Sequence, residues 1–261
     1  MKERNKKKIN KLPFFSNLWY FLVLTAKWIY TGRKDLRYYA MERLANMFNP
    51  RFRFTEFGQV WREDKDFEDY YAKFAAGNYH SIDRKYTLNQ FLQLVKNVEG
   101  DTVECGAYEG ACSYLICVFI QEQGKLKSHH IFDSFEGLSK PAAEDGVYWK
   151  EGDLTTSEDT CKSNLAAFNF VKYHKGWIPD KFAEVKDLRF SFVHIDVDLY
   201  QPTLDSVSFF YERLNAGGVL ICDDYGFSTC PGAKKAMDDF FVTKPEKPVM
   251  LTTGQSFIIK Q

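Results

Sequence analysis

A chain of 261 residues with 45% hydrophobic content is long enough to bury one sizeable α/β core with a smaller appendage. Its 35 Lys/Arg balance its 35 Asp/Glu, so there is no global basic field to drive nucleic-acid binding. Six cysteines with neither a Cys-x-x-Cys pair nor zinc-type Cys/His spacing read as reduced, mostly buried small hydrophobes in a cytoplasmic protein.

The first segment, KERNKKKINK followed by LPFFSNLWYFLVLTAKWIY, has the outline of a signal peptide, but Asn17 and Lys27 interrupt it and no small-residue cleavage pattern follows. Its uninterrupted apolar part, Leu18 to Ala26, falls well short of the roughly 20 residues that span a bilayer. It reads as a helix packed on its own domain or on a second subunit. The sharper alternative is a peripheral anchor at the inner membrane face through residues 1–30. From about residue 12 to 96 apolar residues fall three and four apart, as in DFEDYYAKFA and TLNQFLQLVKNV, which predicts helices. Residues 1–80 are therefore expected to form a helical, aromatic-rich extension and residues 81–261 the main domain.

After Gly100 the texture changes to short apolar runs that end in Gly, Asp or Ser and alternate with helical stretches. The runs are DTVECGAYEG, KSHHIFDSFEG, NFVKYHKGW, FSFVHIDVDLY, GGVLICDDYG and QSFIIK. This alternation predicts a doubly wound, mostly parallel α/β sheet, in which ligands bind at the carboxyl ends of the strands.

In VECGAYEGACSYLICVFI a strand leads through a glycine turn into a helix. Gly106 and Gly110 permit close approach of a ligand, and Glu104 places a carboxylate at the strand tip. The absence of Gly-Lys-Ser/Thr excludes a P-loop, and the departure from Gly-x-Gly-x-x-Gly counts against NAD. A ligand-free glycine turn is the bland alternative. Asp133 closes the next apolar run, where a carboxylate can accept hydrogen bonds from both ribose hydroxyls of an adenosine. His129 and His130 read as residues starting that strand rather than as metal ligands.

HIDVDLY then sets Asp196 and Asp198 two apart, and LICDDYG supplies Asp223 and Asp224. If these two strands are neighbours, four carboxylates converge, and their mutual repulsion calls for a cation. An all-oxygen set favours Mg²⁺ over Ca²⁺ or Mn²⁺. The competing structural reading makes Asp198 and Asp224 caps of the following helices, and His194 a satisfied interior histidine.

In that order and at those separations VECGAYEGACS, IFDSFEGL, EGDL, KGWIPD, FVHIDVDLYQPT and GGVLICDDYG resemble the macrocin O-methyltransferase family over roughly residues 81–261. Its members are metal-dependent class I methyltransferases with a Rossmann-like sheet, which use S-adenosylmethionine to methylate sugar or related hydroxyls. The resemblance implies Mg²⁺ on Asp196, Asp223 and Asp224, with Asp198 as general base. It implies cofactor contacts from Thr87, Glu104, Cys105, Gly106, Gly110, Ser113, Asp133, Ser134, Phe135, Asp153, Gly176 and Asp196, Thr87 reaching the methionine carboxylate. Ala107, Tyr108 and Glu109 depart from the family's glycine-rich first turn.

The implied activity is methylation of a sugar hydroxyl in a glycan, glycolipid or glycosylated metabolite, including surface-polysaccharide precursors. A catechol-type O-methyltransferase acting on a phenolic diol and a catalytically silent S-adenosylmethionine-binding scaffold are the alternatives. Expected partners are a sugar-bearing acceptor, a membrane surface and a second copy through the N-terminal helices, with no nucleic acid. The aromatic N-terminal segment and the loop EGLSKPAAEDGVYWKEGDL are the expected places for acceptor recognition. Tyr148 and Trp149 there would stack on a sugar or close the cofactor pocket.

Overall fold

The β/α alternation that begins after Gly100 is borne out. The computed structural model describes residues 12–48, 64–78, 82–124 and 126–261. The basic tract at residues 2–11 and the expected boundary at 80/81 lie outside them. The chain divides into two units, Met1–Glu68 and Asp69–Gln261. In the first, α1 (Leu12–Thr31) and α2 (Lys34–Phe48) pack against one another. Phe14 meets Phe48 edge-on, and Arg43 donates to Asn17 Oδ1 while lying over the Tyr20 ring. Helix α3 (Lys65–Asn78) follows.

The second unit continues with α4 (Ile82–Leu92), β1 (Asp101–Cys105), α5 (Ala111–Gln123), β2 (His129–Asp133), α6 (Glu158–Asn164), β3 (Val171–Lys175) and β4 (Phe190–Ile195). It closes with α7 (Tyr200–Tyr211), β5 (Leu214–Cys222), α8 (Pro231–Phe241), β6 (Val249–Met250) and β7 (Ser256–Ile259). The strands form one sheet in the order β3-β2-β1-β4-β5-β7-β6, with β7 and β6 antiparallel and the rest parallel. All six residues of β4 are buried, as a parallel strand covered on both faces requires, Ser191 and His194 among them. Edge strand β3 is only partly covered and carries Lys172 and Lys175. All six cysteines are free thiols, and five are buried.

The chain steps outward from β1 through β2 to β3, then returns to the other side of β1 as β4 and continues to β5. This reversal opens a crevice between the tips of β1 and β4. The tips of β1 and β4 approach closely there, Asp196 N–H donating to the Cys105 carbonyl (2.9 Å), while on the other side Gly106 N–H ties β1 to the Phe132 carbonyl of β2 (2.8 Å). Gly106 has φ +81°, and a Cβ on it would lie 1.9 Å from the Asp196 carbonyl oxygen. Gly106→Ala therefore combines overlap with left-handed strain. It is expected to cost about 3 kcal/mol and lower the melting temperature by about 6–12 °C. A thermal scan within about 2 °C of the wild type would show that the tips are not held this closely.

The competing assignment of Asp198 and Asp224 as caps is not what the helices show. The first turn of α7 is capped from a distant loop, where Asp145 Oδ1 accepts Tyr200 N–H at 2.6 Å. Helix α8 begins at Pro231, with no side-chain cap from Cys230. Both carboxylates are left to the crevice.

Candidate active site

A cavity of about 330 Å³ occupies that crevice. The ends of β1 and β2 contribute Glu104, Gly106, Asp133 and Ser134 to its wall, and the turn after β3 contributes Gly176. Asp196 and Asp198 follow β4, and Asp224 follows β5. Because β4 and β5 pair in parallel with Ile195 opposite Cys222, the two Asp-bearing turns leave the sheet side by side, as required for the carboxylates to converge. Ligand atoms of His194, Asp196 and Asp223 lie within 4.8 Å of one another, and so do those of Asp198, Asp224 and Cys230. The expected metal trio is thus divided between two adjoining groups.

The division has a visible cause. Asp223 is engaged on both oxygens: its Oδ2 is ion-paired with Arg84, and its Oδ1 accepts Gln255 Nε2 at 2.7 Å and His194 Nε2 at 3.4 Å. Arg84, on α4, also lies 4.8 Å above the Phe227 ring. Burial would raise the Asp223 pKa, but Arg84, His194 and Gln255 overcome it and hold the carboxyl well below its usual range. His194 is fully buried, which by itself would lower its pKa. Hydrogen bonds to Asp223 and Glu104 instead carry it up to about 10, so it sits between them as an imidazolium. Its Nδ1–H donates to Glu104 Oε1 at 2.8 Å. The other Glu104 oxygen accepts Ser113 Oγ–H, and Ser113 meets His129 Nε2 at 2.9 Å.

The remaining carboxyls are under-compensated. Burial and the Asp223 charge push Asp196 up to about 7, against the pull of Arg84 and His194. Asp198 rises to about 6 through burial and Asp223, despite its contact with the Cys230 thiol. Asp224 is raised well above its ordinary value by burial and by Asp198, Asp196 and Asp223. Asp224 Oδ2 accepts Asp198 N–H at 2.9 Å, and Cys230 Sγ lies 3.3 Å from Asp198 Oδ1. Among the described residues none donates a hydrogen bond to the Asp196 carboxylate. Hard oxygen donors with more negative charge than Arg84 and His194 offset, one of them unbonded and facing a cavity, fit a divalent ion.

At the other end, Asp133 holds the β1–α5 turn. Its Oδ2 accepts the N–H groups of Ala107 (2.8 Å) and Tyr108 (2.9 Å), and its Oδ1 accepts that of Phe135 (2.7 Å). A carboxylate accepts about four hydrogen bonds, so room remains for another donor. The structure therefore brings Glu104, Gly106, Asp133, Ser134, Gly176, Asp196, Asp198 and Asp224 onto one wall. Thr87, Cys105, Gly110, Ser113, Phe135, Asp153 and the expected metal ligand Asp223 are not on it. Cys105 and Phe135 are core residues, and Gly110, with φ +84°, starts α5 against Cys161. Ser113 orients Glu104, whereas Asp153 ties its loop by accepting Lys150 N–H at 2.8 Å. Thr87 lies three residues beyond Arg84 on α4. Sequence reasoning missed Arg84, Lys85 and Trp177 on the wall, and Gln255 and Cys230 behind the carboxylates. Of these only Arg84 and Lys85 had a signal: four converging carboxylates demand a cation, and DRKYT sets both just before Thr87.

The family model for macrocin-O-methyltransferase matches residues 77–249. The demethyldecarbamoylnovobiocin O-methyltransferase of Streptomyces niveus is 28% identical over 163 residues, 55% of this chain and 59% of the relative. A tetracenomycin-C 4'-O-methyltransferase of Streptomyces olivaceus, whose named substrate carries a 2,3-dimethoxy-α-L-rhamnosyl group, is 27% identical over 152 residues, 54% of this chain and 58% of that protein. The chain thus spans under two thirds of the length of these curated relatives. Among solved structures, the calicheamicin methyltransferase CalS11 superposes with a TM-score of 0.62 at 14% identity, over 99% of this chain and 94% of its own, which establishes a shared Rossmann-like class I fold.

Proposed function

We propose that this chain, which belongs to the macrocin-O-methyltransferase family, transfers a methyl group from S-adenosylmethionine to a hydroxyl of a sugar-bearing small molecule, with Mg²⁺ as the assisting ion. The observation that carries the proposal is that one cavity joins the nucleotide-end residues Gly106 and Asp133 to the carboxylates Asp196, Asp198 and Asp224. The relatives' names, one of them specifying a rhamnosyl substituent, support a glycosylated acceptor.

Asp133 and Ser134 would take the ribose hydroxyls, while the backbone at Gly106 lets the donor lie against the tips of β1 and β4. Asp196 and Asp224, on the cavity wall, would hold the ion, joined by Asp223 where Arg84 releases its Oδ2. S-adenosylmethionine supplies an electrophilic methyl on a sulfonium, and a divalent ion would make an alcohol more acidic. Asp198, carried up to about 6, is suited to take the acceptor proton as the new C–O bond forms and the methyl C–S bond breaks, its electron pair staying on sulfur to release S-adenosylhomocysteine. Trp149 and Trp177, both on the cavity wall, exclude water and offer faces for a sugar ring.

With a panel of glycosides and catechols, chelation by EDTA is expected to lower methyl transfer at least about a hundredfold, and Mg²⁺ to restore it. S-adenosylhomocysteine binding should change by no more than about threefold. Full activity in excess chelator would remove the ion from the mechanism. Transfer to catechols alone would replace the sugar.

A further inference from the structure

Helix α1 has apolar residues on two faces. The half-covered face carries Leu18, Phe21 and Trp28, with Thr25 between them, at three- and four-residue spacing. A second stripe at the same spacing stands in the open: Phe15 (64% exposed), Trp19 (65%), Leu22 (54%), Ala26 and Ile29 (74%). It carries no charge along about four turns of helix.

The charge of the segment is equally lopsided. Residues 1–37 hold ten Lys/Arg against two Asp/Glu, which leaves 25 against 33 for the rest of a chain with no net charge. Six of the ten, Lys2, Arg4, Lys6, Lys7, Lys8 and Lys11, directly precede α1.

We propose that the exposed α1 stripe and the basic tract before it form a contact surface for an anionic lipid bilayer, on which the helix lies. Such a bilayer presents apolar and negative chemistry together, and Trp19 suits its headgroup boundary. A second copy would bring an identical stripe flanked by the same positive charge, so pairing stripe to stripe sets like charges together. No described helix is long and apolar enough to cross a membrane.

The full chain is tested with vesicles of phosphatidylcholine alone and of phosphatidylcholine mixed with phosphatidylglycerol. It is expected to co-sediment with the mixed vesicles, at least about tenfold more weakly with the neutral ones, and less as salt is raised. Lys6→Glu/Lys7→Glu/Lys8→Glu should weaken binding by about a hundredfold, and Trp19→Ser/Leu22→Ser by about tenfold or more. The charge variant lies outside α1, so it remains decisive where the stripe variant fails to fold. The proposal is overturned by absence of binding to either vesicle, by binding that ignores lipid charge and the Lys→Glu changes, or by a stripe-dependent dimer in light scattering without vesicle binding. S-adenosylhomocysteine affinity reports separately on the proposed donor site.

Discussion

Asp198→Asn is expected to lower methyl-transfer turnover about a thousandfold while leaving S-adenosylhomocysteine affinity within about twofold of wild type. Asp198 occupies the left-handed region, at φ +59°, in the turn after β4, and its N–H is anchored on Asp224. Asparagine tolerates that backbone as well as aspartate does and keeps nearly the same shape, so the fold is preserved. What is lost is the ability to accept a proton. A carboxylate carried up to about 6 is both largely ionised at neutral pH and more basic than an exposed aspartate. Single-turnover methyl transfer under saturating donor isolates this step from binding. Near-normal turnover would end the assignment of Asp198 as base, whatever the fate of the ion.

What was legible in the sequence follows from what is local. Each apolar run after Gly100 names its strand by length and by the polar residue that ends it, and βαβ adjacency was enough to bring Asp196 and Asp198 toward Asp223 and Asp224. Two-residue β6 has no such signature. Arg84 stands 139 residues from the Asp223 it pairs with, and Asp145 stands 55 residues from the α7 N–H it caps. No periodicity joins such positions. Charge balance demanded a cation without saying that a side chain already supplies one. Asp133 was legible as a carboxylate at a strand tip, but its grip on Ala107, Tyr108 and Phe135 depends on how the turn folds over it. Glu104 was read as a cofactor carboxylate, yet both its oxygens are engaged within the fold, by His194 and Ser113.

Arg84→Met is expected to destabilise the metal-free protein by about 2 kcal/mol, a fall in melting temperature of about 4–8 °C, and to raise Mg²⁺ affinity at least about tenfold. Methionine keeps the apolar stem against Phe227, so the change is chiefly the loss of one positive charge. Breaking a buried pair outright costs about 3–5 kcal/mol, but Asp223 retains Gln255 and the His194 imidazolium, which lowers the expected penalty. The sign for the ion is opposite. In the wild type the guanidinium holds Asp223 Oδ2 and adds a like charge beside any cation on Asp196, whereas in the variant both oppositions disappear. Saturating Mg²⁺ at about a hundred times its dissociation constant contributes about 2.7 kcal/mol, enough to return the variant to near wild-type stability. Thermal scans with and without Mg²⁺, paired with calorimetric titration, separate the two effects. If Arg84 instead serves the methionine carboxylate of the donor, Mg²⁺ affinity stays unchanged in the variant and S-adenosylhomocysteine affinity falls.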